Sequence, residues 1–311
     1  KRFIKQIQPQ ALLIMETELW PNLLARCGKQ NIPVVILNAR LSEKSCQRYQ
    51  RIRHFFQQMS QSLTLLLCQH RDDTERFKRL GVTPQQIVVT GSIKFDIQLD
   101  QKQIELGEQY RQSLVKRPFW IAASTHKGED EAILRAHQEI CKQQPDALLI
   151  LVPRHPQRFT DVAKLCLEQG FAICRRSEQR LVTIQESVLL GDSMGEMAYF
   201  FQIADVAFMG GSLVPVGGHN LLEPAALAKP TLIGPHFFNF SDITRQLVDK
   251  KACQVIHDES ELATHVLQLF SSPEQRHTMG MAAFDVVAAN QGALEKSLTV
   301  IDTVLARLPQ R

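Results

Sequence analysis

Short apolar runs rich in Val, Ile and Leu alternate along this chain with longer stretches in which apolar residues recur every three or four positions. The runs predict strands at Ala11–Met15, Pro33–Leu37, Leu63–Cys68, Ile87–Thr90, Phe119–Ala123, Ala147–Val152, Phe171–Cys174, Ser187–Leu190, Asp205–Met209, Thr231–Ile233 and Gln254–Ile256. The longer periodic stretches predict helices between most of them. These include Leu19–Lys29, a long helix from Ser42 to about Gln58, one ending at Leu80, and two or three from Glu259 to Leu308. Strands alternating with helices imply parallel sheets covered on both faces, a doubly wound α/β architecture. A polar segment from Gln98 to Arg117, read as a helix plus linker, divides the chain into domains 1–117 and 118–311.

In such sheets ligands bind outside the carboxyl ends of the strands, and the polar clusters of this chain follow strand ends. The densest is Asp205–Pro235. Gly210 and Gly211 end a strand, Gly217 and Gly218 allow a tight turn, and Asn220 reads as a helix N-cap with Glu223 at the capping-box position. Lys229-Pro230 stops that helix. A strand, a glycine-rich loop and a helix start form a phosphate site through free N–H groups and the helix dipole. Each residue also has a plain reading: the glycines suit turns and Glu223 suits a cap. Four glycines, a His, an Asn and a Glu grouped after one strand favour a nucleotide-type site.

Further clusters are more open. Pro153-Arg154 follows the most apolar strand, and Arg154 offers a planar fork for a phosphate or base edge. Gly191-Asp192-Ser193-Met194-Gly195-Glu196 either caps the next helix and feeds the core, or presents backbone groups to a nucleobase. N-capping explains Ser124 and Thr125 well and is favoured over a phosphate role. Glu16 and Glu18 flank the end of the first strand and Lys94 lies beyond another; paired carboxylates suit acid–base chemistry, but the helix that follows needs an acidic first turn anyway, and the residues alone favour that reading. Arg40, Lys44, Arg48 and Arg51 form a basic stripe beside Tyr49, Ile52 and Phe56, which is a solvated face or a contact for anionic lipid head groups.

Composition narrows these options. With 311 residues, 44% hydrophobic and 22% charged, the chain is long enough for two cores. A net charge of +4 without aromatic–basic interleaving gives no case for nucleic acid. Seven scattered cysteines without a CxxC pair point to reduced thiols and no zinc site. No apolar run approaches membrane-spanning length and no signal peptide is visible. GxxxxGK[ST], GxSxG, HExxH and GxGxxG are all absent. The start, a helix-like segment with no initiator Met, reads as a fragment of a longer protein.

METELWP (Met15 to Pro21), NARLS (Asn38 to Ser42), IKFD (Ile93 to Asp96), ASTHKGEDE (Ala123 to Glu131), LVPRHP (Leu151 to Pro156), GDSMGEM (Gly191 to Met197), GGSLVPVGGHNLLEPAA (Gly210 to Ala226) and GPHFFNF (Gly234 to Phe240) occur in that order. Together they resemble the 3-deoxy-D-manno-oct-2-ulosonic acid (Kdo) transferases. The resemblance implies a GT-B fold: two Rossmann-like domains facing a cleft, the first incomplete here, with the last helix crossing back to the first domain. It implies CMP-Kdo as donor, a lipid A precursor as acceptor and inverting direct displacement at the cytoplasmic face of a Gram-negative inner membrane, with neither a metal ligated by these residues nor a nucleic-acid partner.

The resemblance further implies that Pro153 and Arg154 contact CMP. Met194, Gly195 and Glu196 hold the cytidine, and Asn220, Leu221, Leu222 and Glu223 hold phosphate and ribose. Glu16 and Lys94 support the transition state. The family's catalytic base, a Glu in a glycine-containing motif after a membrane anchor, has no counterpart here. The chain alone is therefore expected to be neither stable nor active, with an open edge to its first sheet. Other readings are another GT-B glycosyltransferase, a UDP-sugar epimerase, or a non-catalytic nucleotide-sugar-binding or membrane-scaffold protein.

Overall fold

The computed structural model describes residues 2–114 and 116–306; the expected domain ends at residues 1 and 307–311, and the helix end at Leu308, lie outside the described residues. In chain order the first elements are α1 Arg2–Ile7, β1 Leu12–Met15, α2 Pro21–Lys29, β2 Val34–Ala39, α3 Glu43–Gln50, α4 Arg53–Ser60, β3 Leu65–Cys68, α5 Arg71–Arg79 and β4 Ile87–Val89. Then come α6 Gln101–Ser113, β5 Phe119–Thr125, α7 Asp130–Gln143, β6 Leu148–Pro153, α8 Phe159–Glu168, β7 Ile173–Arg175, β8 Val188–Leu190, α9 Met197–Ile203 and β9 Val206–Met209. The chain continues through α10 Leu222–Ala226, β10 Thr231–Ile233, α11 Ser241–Asp249, β11 Cys253–Val255, α12 Glu259–Ser271, α13 Pro273–Asn290 and α14 Ala293–Leu305. All eleven expected strands form, and every pairing between them is parallel.

The elements group into two units, Lys1–Asp96 with Asn290–Arg311, and Ile97–Ala289. The boundary therefore falls at Asp96, not near Arg117. Segment 101–113 belongs to the second unit because α6 packs closely on α9: a Cβ on Gly107 would stand 2.9 Å from the Tyr199 carbonyl oxygen and from Gln202 Cβ. Arg111 then forks onto Asp205 at 3.1 and 3.3 Å while its guanidinium covers the Phe119 ring at 3.9 Å. Ion pair and stack together tie the supposed linker to the strand it precedes.

In the first unit the sheet order is β1-β2-β3-β4. Val34, Ile36, Leu66 and Cys68 project into a core filled by Leu24, Cys27, Phe56, Phe77 and Leu80. The expected long helix is two: it breaks at Arg51–Ile52, leaving Ile52 and Phe55 each 50% exposed while Phe56 is buried. Ile52 thus leaves the apolar stripe predicted for it. Asn38, buried and at φ 53°, accepts from the Ile93 amide at 3.2 Å, which sets the turn carrying Lys94. Residues 290–306 join this unit through Asp96, whose carboxylate meets the start of α14.

In the second unit the order is β11-β10-β9-β5-β6-β8-β7. Strands β6 to β8 lie on one side of β5 and β9 to β11 on the other, so the order reverses between β5 and β9. Ligands of doubly wound sheets bind at such a switch point, beyond the carboxyl ends of the strands. The central strands are apolar on both faces: Phe119 to Ala123, Leu148 to Leu151 and Val206 to Phe208 are all 0% exposed. Such a sheet fixes the strand ends rigidly, and the polar clusters with them.

Candidate functional site

At the switch point the organising residue is Glu129, fully buried between the ends of β5 and β9. Its carboxylate accepts the amides of His126 at 2.9 Å, Gly211 at 2.6 Å, Ser212 at 3.0 Å and Leu213 at 2.9 Å. Concave sets of amides like this one take an anion, and here the anion is the protein's own. The amides of Gly217 and Gly218 are likewise spent on the Gly211 carbonyl, at 3.1 and 2.7 Å. The glycine-rich loop does not offer a phosphate these N–H groups, contrary to the expectation from its glycines. Glu129 lies inside ASTHKGEDE; two adjacent acids just past a wholly apolar strand were the available signal.

Around this clasp stand basic side chains. His126 and His219 face each other with Nε2 atoms 2.8 Å apart and rings stacked at 14°, and His155 meets His126 edge-on at 5.2 Å. Burial, then His126, Arg154 and His155, pushes His219 down to about 4. Burial also holds His126 below the ordinary histidine value. The exposed Arg154 donates its amide to the Thr125 carbonyl at 3.0 Å, seating the β6 end beside the β5 end. Beneath it Arg158 binds the buried Asp130 and donates to the Thr125 carbonyl at 2.7 Å, while Thr125 Oγ1 donates to Asp130 at 2.6 Å. Thr125 is therefore committed to Asp130 and does not cap a helix. Pro153 is buried, so of the Pro153–Arg154 pair it is Arg154 that has a free side chain.

Gly191–Glu196 follows β8, the neighbour of β6. Asp192 caps nothing: it accepts from Arg175 Nε at 2.8 Å and from Ser177 N and Oγ at 2.8 and 2.7 Å. Arg176 grips Glu196 at 2.7 and 3.2 Å, lies over the Tyr199 ring at 4.6 Å, and Ser193 donates to the same carboxylate. Burial raises the Glu196 pKa, but Arg176 and Ser193 outweigh it and leave the carboxyl below its usual range. Arg175-Arg176-Ser177 thus forms a template on which the loop is laid, a relation no local pattern carried. Met194 is 58% exposed, which excludes a core role, and Gly195, at φ 78°, has open space on its side-chain face. Gln103 on α6 fixes the Gly195 carbonyl at 2.5 Å.

The Asn220–Glu223 stretch differs in detail from its expected form. The N-cap position is Leu221, and the Asn220 side chain instead accepts the Leu222 amide at 3.2 Å, an Asx turn. No capping box forms, because the N-cap Leu221 has no acceptor side chain and Glu223 falls at N2 rather than N3. Helix α10 has five residues, too few for a substantial dipole. Leu221 and Leu222 are buried, so only their main chain can meet a ligand. The Glu223 carboxyl is partly buried with no hydrogen-bond partner among the described residues, and burial pushes its pKa up. An unpartnered acid at a strand-end cleft suits a pair of sugar hydroxyls.

Glu16 and Lys94 belong to the first unit and are brought together: Nζ lies 3.2 Å from Oε1, with side chains 47% and 41% exposed. Glu16 sits at φ 55° directly after β1, its amide held by the Leu37 carbonyl at 2.8 Å. Glu18 is exposed and remains apart from this pair. Among the described residues no group of three or more His, Cys, Asp or Glu is arranged to hold a metal, and no helix is long and apolar enough to cross a membrane. A cavity of about 630 Å³ beside β11, lined by Lys251, Gln254, Glu274 and Met279 among others, contains none of these residues.

Comparison with known proteins identifies the family. Residues 1–97 match the family model described as 3-deoxy-D-manno-octulosonic-acid transferase (kdotransferase). The chain is 41% identical over 309 residues to the 3-deoxy-D-manno-octulosonic acid transferase of Haemophilus influenzae, covering 98% of this chain and 72% of that protein. The crystal structure of the C-terminal CMP-Kdo binding domain of WaaA from Acinetobacter baumannii matches 60% of this chain and 99% of that domain, with 34% identity and a TM-score of 0.59. A glycosyltransferase structure from Rickettsia africae, 13% identical, shares the fold over 98% of this chain and 79% of its own, with a TM-score of 0.58. Parallel α/β units, strand-end clusters and close relatives agree: the chain belongs to the 3-deoxy-D-manno-octulosonic acid transferase family of glycosyltransferases.

Proposed function

We propose that the chain transfers Kdo from CMP-Kdo to a lipid A precursor, by direct displacement with inversion at the anomeric carbon. The single observation that carries the donor assignment is the 34% identical match, over 60% of this chain, to a CMP-Kdo binding domain. In this reading the acceptor hydroxyl oxygen attacks the anomeric carbon. The bond from that carbon to the phosphate oxygen breaks, and CMP leaves with the electron pair. The hydroxyl proton passes to a general base that is not assigned among the described residues.

Arg154 meets the phosphate. The Gly191–Glu196 loop, laid on Arg175–Ser177, receives the cytosine, with Met194 covering it and the Gly195 main chain reading its edge. Glu223 takes the ribose hydroxyls and Asn220 to Leu222 contribute main-chain groups. Since Glu129 holds the loop amides and α10 is short, side chains supply most of the stabilisation of the leaving phosphate. Glu16 and Lys94 act on the sugar side of the transition state. The exposed Lys44, Arg48 and Arg51 beside Ile52 and Phe55 support docking of the first unit on an anionic lipid surface, the cytoplasmic face of the inner membrane.

Product mass after incubating the full-length protein with CMP-Kdo and a lipid A precursor tests the reaction; a mass gain of one or more Kdo units is expected from it, and none from residues 1–311 alone. Calorimetric titration with CMP, UMP and UDP tests the donor. Preference for UDP, or unchanged CMP affinity in both Arg154→Ala and Glu223→Ala, contradicts the assignment.

A further inference from the structure

The His126–His219 pair is not explained by packing alone. A Cβ on Gly211, itself at φ 67°, would stand 3.1 Å from His219 Cδ2 and Nε2 and 3.2 Å from His126 Cδ2. Glycine at 211 leaves room for both rings. Glu129 holds the His126 amide and the Gly211 amide on one carboxylate, so the loops carrying the two histidines are fixed to each other at the switch point. At 2.8 Å the Nε2 atoms are at hydrogen-bond separation, closer than the roughly 3.3 Å between two imidazole nitrogens on one tetrahedral zinc. One ring donates and the other accepts, so the pair as it stands carries at most one proton between the two facing nitrogens.

We infer that the His126–His219 pair is the anion subsite of the donor pocket, binding a phosphate or carboxylate group with uptake of a proton. This rests on the reading of the second unit as the CMP-Kdo site. As the pair stands, its single Nε2–H is spent on the facing ring and is not free for an anion. Protonation supplies a second, breaks the ring-to-ring hydrogen bond and turns both Nε2–H groups outward. The charged and titratable groups facing the pair are Arg154 and His155 from the β6 loop, Arg158 below them, and Glu129 from the start of α7. All but Glu129 are basic, and Glu129 is already engaged by four amides. The empty pair is therefore held neutral, with His219 at about 4, by burial and by these neighbours. An arriving anion reverses the balance. Proton uptake on binding thereby couples donor affinity to pH, and its release accompanies departure of the product anion.

The test is calorimetric titration of the whole chain at pH 6.5 in buffers of different ionisation enthalpy, with cytidine, CMP and free Kdo as separate probes. CMP carries the phosphate, Kdo the carboxylate and cytidine neither. The expected result is uptake of about 0.5–1 proton with CMP or with Kdo, whichever anion the pair holds, and none with cytidine. His219→Gln and His126→Gln should each abolish the uptake and weaken binding of that probe by roughly tenfold or more. CMP's own phosphate, with a second pKa near 6, releases a proton on entering a basic site, so it works against the expected sign. Wild-type binding of CMP and Kdo without uptake overturns the inference while leaving the donor assignment in place. Failure of the wild-type chain to bind either overturns both. The wild-type measurement needs no variant to fold.

Discussion

The Asp96 carboxylate accepts the amide of Gly292 at 2.5 Å, across 196 residues of chain. It also takes the Leu294 amide at 2.7 Å, so one side chain satisfies two orphan donors at the start of α14. The Asp of the IKFD motif is thus a remote helix cap. Asp96→Ala should cost about 1–3 kcal/mol in urea unfolding, with faster amide exchange in the first turn of α14. Asp96→Asn should recover part of the loss, since it retains one acceptor. An unchanged midpoint and unchanged exchange in the alanine variant would remove the capping role.

Glu129 and the glycine-rich loop make a second, sharper case. Removing the carboxylate leaves four amides at 126, 211, 212 and 213 without their acceptor. Glu129→Ala should therefore cost on the order of 4 kcal/mol, and Glu129→Gln less, since its single carbonyl oxygen serves only some of the donors. Inorganic anions offer a diagnostic. Phosphate at millimolar concentration should stabilise Glu129→Ala more than wild type, because the emptied set of amides is then an anion site. Equal stabilisation of the two proteins would mean that the amides relax elsewhere.

Strand positions were legible because runs such as Leu148–Val152 are buried on both faces, and nothing but a central parallel strand reads that way. The unit boundary was not, because α6 docks through a glycine (Gly107), an ion pair (Arg111–Asp205) and scattered polar and ring contacts from Gln103, Glu108 and Tyr110; in sequence those residues look like a polar linker. The break between α3 and α4 has no Gly or Pro to announce it. The candidate loops follow strand ends, as the apolar runs and turn glycines indicated. Their internal partners were not, because Glu129–Gly211, Arg176–Glu196 and Gln103–Gly195 are long-range bonds invisible to periodicity. Leu221 and Leu222 are buried, and a motif match does not say whether side chain or main chain would face a ligand.

Glu16 and Lys94 permit a separation of binding from turnover. They pair at 3.2 Å in the first unit, whereas the proposed CMP contacts all lie in the second. Lys94→Ala should leave calorimetric CMP affinity within about twofold while lowering transfer by roughly a hundredfold or more, the signature of an interaction made in the transition state. The exposed Glu16–Lys94 pair itself contributes little to stability, so the unfolding midpoint should barely move. A drop in CMP affinity matching the drop in turnover would assign Lys94 to ground-state binding instead.

His137 sets the acid limit of the second unit. Its ring is fully buried, accepts Trp120 Nε1–H at Nδ1 over 3.2 Å and donates from Nε2 to the Ser187 carbonyl at 2.9 Å. Burial depresses its pKa to about 4, against 6.5 in the unfolded chain. Between those values the unfolded state binds the proton and the folded state does not, so stability rises with pH across this window. The neutral ring's contribution is complete above 6.5 and is lost progressively as the pH falls toward 4. A shift of this size corresponds to something on the order of 3 kcal/mol. His219, also depressed to about 4, adds to the wild-type fall, so the informative comparison is with a variant at the same pH. Glutamine can keep both hydrogen bonds without titrating. Between pH 7.5 and 4.5, wild type should therefore lose about 2–3 kcal/mol more in urea unfolding than His137→Gln. Equal losses in the two proteins would show that the ring is charged, or rehydrated, in the folded state.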